Sequence, residues 1–283
     1  MAIDYDHIMS LQKKDEPFSY TDRETMLYGL GVGFGRDPMN ENELAFVYEK
    51  NLKTIPSMAT VIAWGAGSMR ESGINYLMVV HGEQRLTLHR PLPAVADILA
   101  DSRVTGVYDK GADKGALIVT ETALRLADTG EPLCTLGSTT FARGDGGFGG
   151  PREGAPTPHI LPDRVPDLTC EVETRPDQAL LYRLSGDRNP LHSDPEVASD
   201  AGFPKPILHG LCTYGSACRG LIGSVCDFDA ASIRQFDVRF SSPVFPGETV
   251  VLDIWRDGDV VSFLARVKER DATVLNNGKC ILG

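Results

Sequence analysis

The stretch ARGDGGFGGPREGAPTPHILPDRVPD, residues 142–167, gathers glycine and proline with no apolar period. Such a stretch sustains neither a helix nor a strand ladder, so it reads as a linker. It divides the 283-residue chain into halves of about 145 and 118 residues that share one layout. Each half opens with a helical segment carrying a Tyr-x-Leu step, TMLYGLGVG in the first and ALLYRLSGD in the second, and closes with a run of strands. The strand-then-Pro step also recurs, as TLHRPLP and DVRFSSPVFPG. This layout predicts a diverged internal duplication: a domain over 1–150, a linker over 151–166 and a second domain over 167–283.

The second half is read in more detail. Thr174 is positioned to cap a helix with Pro176 and Asp177 in its first turn, and Gly186 to end it. In SDPEVASDAG, Asp194 caps, Pro195 starts and Gly202 stops a short helix. HGLCTYGSACRGLIGSV is small or apolar almost all round, as a helix buried against a sheet should be, and its start at Gly210 leaves free N–H groups. IRQFDVRF, TVVLDIW, VVSFLARVKE and CILG then read as strands, separated by SSPVFPGE, RDGD and RDATVLNNGK. The first half supplies EQRLTLHRPLP, DSRVTGVYDK, ALIVTETALRLAD and PLCTLGSTTF. The class is α+β, a helix wrapped by an antiparallel sheet.

A net charge of -11 argues against nucleic-acid binding through a broad basic face, while leaving room for a phosphate-bearing ligand held by local cations. No charged start followed by an apolar run opens the chain, and the most apolar late segment is interrupted by Arg219. A soluble, cytoplasmic protein is expected, with no peroxisomal address in the final CILG. The six cysteines form no CxxC pair, which disfavours a zinc or redox motif and suits small buried hydrophobes in a reducing compartment.

SGDRNPLHSDP, residues 185–195, sets Asp187, Asn189 and His192 on one loop. GDRNP alone fits an Asx-type turn equally well, and a single histidine is more often packed than catalytic. The set points further: a carboxylate and an imidazole five residues apart, on a loop tightened by Pro190, can share one water and divide general acid and base duties. Asn189 could orient either. Downstream, in FPKPILHGL, the Gly210 N–H at a helix start suits a developing oxyanion. His209 beside it reads as structural. No serine- or cysteine-centred nucleophile elbow accompanies these residues.

These residues resemble a known signature. YRLSGDRNPLHSDPEVA with GFPKPILHGLCTYG is similar to the motif of the (R)-specific, type 2 enoyl-CoA hydratases, or MaoC-like dehydratases. RETMLYGLGVG, FVYEKNLKTIPSMATV, VVHGEQRLTLHRPLP, VYDKG, GDGGFGG and VRFSSPVFPGETV extend the likeness to the two-domain form in the hydratase part of peroxisomal multifunctional enzymes. The resemblance implies a double hot-dog fold, two repeats in which an antiparallel sheet wraps one long helix. YGLGVGFGRDP in the first half lacks the Asp and His at catalytic spacing, so that half is expected to shape an acyl pocket.

Carried over by motif, Asp187 and His192 hold the water, Asn189 supports them, and the Gly210 N–H binds the thioester oxygen. Arg188, Pro190 and Leu191 in the motif, with His81, Gly82, Lys110 and Phe240, fall at substrate-binding positions. Glu49 is expected to position the site from the other half. The implied reaction is reversible syn hydration of a trans-2-enoyl-CoA to the (3R)-3-hydroxyacyl-CoA, in fatty-acyl metabolism of the β-oxidation type, without metal or other cofactor. The acyl-CoA thioester is the expected partner, with no membrane, and a homodimer is expected. A dehydratase acting on carrier-protein or bulky, steroid-type thioesters, a thioesterase, and a non-catalytic thioester binder are the rivals.

Overall fold

The computed structural model describes residues 3–283. A short helix α1 (Tyr5–Ser10) and strand β1 (Gln12–Tyr20) precede α2 (Asp22–Gly31). Thr21 and Glu24 close a capping box at the start of α2, each satisfying backbone N–H groups of the other's turn. Two single turns, α3 (Glu41–Leu44) and α4 (Ala59–Ile62), lead to strands β2 (Val79–Leu88), β3 (Ala96–Asp109), β4 (Ala116–Leu126) and β5 (Pro132–Ala142). The second half runs β6 (Leu168–Glu173), α5 (Gln178–Tyr182), α6 (Pro195–Asp200), α7 (Gly210–Ser224), then β7 (Ile233–Phe240), β8 (Thr249–Asp257), β9 (Val260–Val267) and β10 (Ala272–Leu282).

All ten strands form one antiparallel sheet in the order β1-β3-β4-β5-β2-β7-β10-β9-β8-β6. Read from either outer edge inward, each half places its first, third, fourth, fifth and second strands in sequence. Two copies of one unit joined at their second strands give this order, and the fold is a double hot-dog. The seam pairs Glu83 with Arg239, Gln84 with Val238 and Thr87 with Gln235. The two opening helices meet across it, with the rings of Tyr28 and Tyr182 6.0 Å apart.

The halves differ in their central helix. α7 is buried on most sides, packing on β6, β7 and β8. The resemblance implies a long helix in the first half too, but there the place is taken by a 3-10 turn, Pro56–Met58, running into α4. The sequence between residues 33 and 54, largely polar and broken by Pro38, cannot sustain four buried turns. Against α7 lies the end of α2: a side chain on Gly215 would meet Val32 at 2.5 Å and the Tyr28 hydroxyl at 2.7 Å. Arg219 of α7 pairs at 2.9 Å with Glu43, which also accepts from the N–H groups of Gly35 and Arg36.

Several local expectations need correction. Thr174 caps no helix; its hydroxyl donates to the Glu248 carbonyl and accepts from Gly247 N–H, captured by the β7–β8 turn. The segment NNGK is not a turn before a final CILG strand but part of β10, where Asn277 (φ 54°) forms a bulge. β1 and β6 were not anticipated. The Asp194 cap, the Pro195 start and the positive-φ Gly186 and Gly202 stand as read. Residues 151–166 are irregular yet tied down: the Gly154, His159 and Arg164 carbonyls accept from Tyr108, Asn277 and Trp255. All six cysteines are free, five of them buried. Among the described residues no helix is long and apolar enough to cross a membrane.

Candidate active site

The loop between α5 and α6 is built by its own sequence. Gly186 takes φ 144°, and a side chain there would strike Trp64, so only glycine turns the chain at this point. Asp187 Oδ1 then accepts from Asn189 N–H at 3.0 Å, and Asn189 Oδ1 accepts from Leu191 N–H at 3.1 Å. Pro190 opens a 3-10 turn, Pro190–His192, that swings His192 inward to 8% exposure. The Asn189 side chain thus shapes the loop by capping the turn, and among the described residues it makes no hydrogen bond to the imidazole.

His192 Nδ1–H donates to the Ile207 carbonyl at 2.9 Å. A carbonyl only accepts, so the neutral ring carries its lone pair on Nε2. That nitrogen lies 4.0 Å from Asp187 Oδ2. Burial holds His192 below the ordinary imidazole range, partly opposed by the Ile207 carbonyl and Asp187. Two acceptors 4.0 Å apart with no donor between them form a seat for one water, which can donate a proton to each.

Gly210 is the first residue of α7, and among the described residues its N–H has no protein acceptor. The helix dipole adds positive potential there. The Phe240 ring would lie 3.3 Å from a side chain on Gly210, so the backbone is approachable only because that position is glycine. Phe240 leans on the His81 ring with centroids 4.6 Å apart. His81 Nε2 sits 3.1 Å from the Glu83 carbonyl and 3.0 Å from Ser138 Oγ, and burial holds the ring down at about 4. Gly82 occupies a bulge in β2 opposite Thr139, which turns His81 toward Phe240.

The remaining expected residues lie farther out. Arg188 is exposed and lines a cavity of about 630 Å³ walled by α2 and α4, with Leu27, Leu30, Val61 and Leu184 among its apolar faces. Pro190 is exposed and Leu191 half-buried on the motif turn. Lys110 donates to the Arg152 carbonyl beside the GDGGFGG loop, which Asp109 gathers by accepting from Gly111, Gly147 and Gly149. Glu49 is exposed, with no hydrogen bond or ion pair to the motif among the described residues; the acidic residue that reaches the other half is Glu43.

His209, read from the sequence as structural, packs into the site: its ring stacks on His192 at 3.8 Å, and its Nε2–H donates to the Asp187 carbonyl at 3.0 Å. Asp187, His192 and His209 bring ligand-type atoms within 4.8 Å of one another. Lone pairs lie in the ring planes, and two planes stacked at 27° do not converge on a point about 2 Å from both, as a tetrahedral metal would need. The cluster suits proton handling.

Family models match both halves: a MFE-2 hydratase 2 N-terminal domain over residues 18–144 and a MaoC like domain over 159–277. An enoyl-CoA hydratase of Mycobacterium tuberculosis is 39% identical over 284 residues, covering 98% of each chain. This chain belongs to the MaoC-like, enoyl-CoA hydratase 2 family. The peroxisomal enoyl-CoA hydratase 2 of Arabidopsis thaliana is 38% identical, across 95% of this chain and 93% of its own. The crystal structure of a MaoC-like dehydratase from Phytophthora capsici superposes with a TM-score of 0.87 at 34% identity, covering 98% of each chain.

Proposed function

We propose that this protein is a hydro-lyase that reversibly hydrates trans-2-enoyl-CoA to (3R)-3-hydroxyacyl-CoA. The observation that carries the reading is the acceptor pair, His192 Nε2 and Asp187 Oδ2, 4.0 Å apart beside an unpaired helix-start N–H. With the thioester oxygen on Gly210 N–H, conjugation draws electrons from C3 toward that oxygen, and the N–H and helix dipole stabilise the charge that develops. The water held between Asp187 and His192 adds its oxygen to C3. Its proton passes to the dyad, and the dyad returns a proton to C2 on the same face, which makes the addition syn. Which member acts first as base belongs to the pair as a unit. The reaction needs no metal or redox cofactor.

The acyl chain extends past Arg188 into the 630 Å³ cavity, a volume in the usual range for small-molecule sites. The CoA arm leaves past His81 and Phe240 toward Lys110. A cytoplasmic homodimer working in fatty-acyl breakdown completes the proposal.

The test follows enoyl absorbance with crotonyl-CoA and with a long-chain trans-2-enoyl-CoA, then couples the product to dehydrogenases specific for each 3-hydroxy stereoisomer. Loss of absorbance with an (R)-product is expected. Release of free CoA thiol, an (S)-product, or no turnover with either substrate by folded protein overturns the proposal.

A further inference from the structure

His209 takes no direct part in the proposed reaction, yet it is 1% exposed and touches both parts of the site. Three contacts fix it. Its Nε2–H holds the Asp187 carbonyl at 3.0 Å, its face covers His192 at 3.8 Å, and its own carbonyl accepts from Cys212 and Thr213 as α7 begins. It therefore joins the loop bearing the dyad to the helix start bearing Gly210. The ring also meets Tyr182, tilted to it with centroids 5.1 Å apart.

We infer that His209 is a positioning residue: one side chain that anchors the Asp187 backbone and sets the plane of the His192 ring, keeping Asp187 and His192 at the separation one water can span. The inference rests on the hydratase reading only for which step suffers when His209 is lost.

The local chemistry explains why a histidine is used. Stacking needs a flat ring, and the Asp187 carbonyl needs an N–H at the ring edge. Imidazole supplies both in the neutral Nε2–H form. Its other nitrogen, Nδ1, is buried without a protein partner, so a second proton there would have nothing to bond. The charged and titratable groups around it are His192, Asp187, Arg183 and the Tyr182 ring. Burial disfavours a charge on the ring, and the neighbouring His192 and Arg183 add to that against the opposing pull of Asp187. His209 thus remains a neutral, fixed donor near neutral pH.

The test uses the full chain with His209→Phe, which keeps a ring without the N–H, and His209→Asn, which keeps a donor without the stack. Expected is a fall in kcat of about 10²-fold in each, because small misplacement of reacting groups has that effect, with KM within about threefold of the parent. In ¹⁵N-histidine spectra His209 should stay in the Nε2–H form from pH 8 to 5. The His192 midpoint should rise in His209→Asn, where the covering ring is gone. A folded variant with kcat within threefold of the parent and an unmoved His192 midpoint overturns the inference. So does a parent spectrum with His209 charged or in the Nδ1–H form at pH 6, which decides the matter even if neither variant folds. If the parent hydrates no enoyl-CoA, the hydratase reading fails while the spectra still decide the role of His209.

Discussion

Asp187→Asn separates charge from shape. The amide oxygen can still accept from Asn189 N–H, so the loop keeps its turn, but the second oxygen that faces His192 is lost as an acceptor. Turnover should drop by about 10³-fold or more with the melting temperature nearly unchanged, since proton transfer by a positioned group is worth about 10²- to 10⁴-fold. His192→Gln should behave alike. Near-parental kcat/KM in either folded variant would remove the dyad from the mechanism. A buried imidazole also sets a stability profile. His209 sits at about 4 in the folded chain against 6.5 for the free group. Above pH 6.5 neither the folded nor the unfolded chain binds this proton. Below it the unfolded chain takes it first, so stability falls between 6.5 and about 4, by about 2 kcal/mol at pH 5. Urea midpoints at pH 7 and pH 5 should show this loss, and His209→Phe should shrink it; an equal loss in that variant would contradict the assignment. The motif residues were legible because they are contiguous. The stacking of His192 on His209 was not, because it depends on Ile207 drawing the two segments together.

At the scale of elements, strands with apolar alternation were read well and edge strands were missed. β1 is QKKDEPFSY and β6 is LTCEVE. Both occupy the outermost places in the sheet. Charges and a proline there discourage pairing with other chains, and the same residues hide the strand pattern. In the sequence Asn-Asn-Gly reads as a turn and so splits β10. Here a side chain on Gly278 would meet the Phe263 carbonyl at 2.4 Å, so the glycine lets two strands close up at a bulge. Gly215 tests the contact between α2 and α7. In an exposed helix, replacing glycine by alanine gains about 0.5–1 kcal/mol. At this position the new methyl overlaps Val32 and the Tyr28 hydroxyl, and overpacking of this kind costs about 1–3 kcal/mol. Gly215→Ala should therefore lower the urea midpoint. A rise would mean that α2 moves away freely, and with it one wall of the acyl cavity.

For the whole molecule, the question is whether the two halves are separable. Few strand pairs cross the seam, which taken alone suggests independent units joined by a linker. The core argues otherwise. One continuous apolar cluster runs from Tyr20, Tyr28 and Phe46 of the first half to Tyr214, Phe236 and Cys280 of the second. α7, the main helix of the second half, is covered by the end of α2, and Gln178 and Cys212 both donate to the Gly31 carbonyl. Among the described residues the first half has no long helix of its own to bury, so its short turns complete their packing on α7. Removing either half would expose that shared face to water, and neither has a spare element to cover it. Calorimetry of the full chain should accordingly show one transition, with the calorimetric and van't Hoff enthalpies equal. A chain limited to residues 167–283 should carry the whole motif yet lack activity, because the covers over α7 and the cavity wall are absent. Two resolved transitions, or a monomeric and active second half, would show that the duplicated units still fold alone and that α2 against α7 is a docking contact rather than shared core.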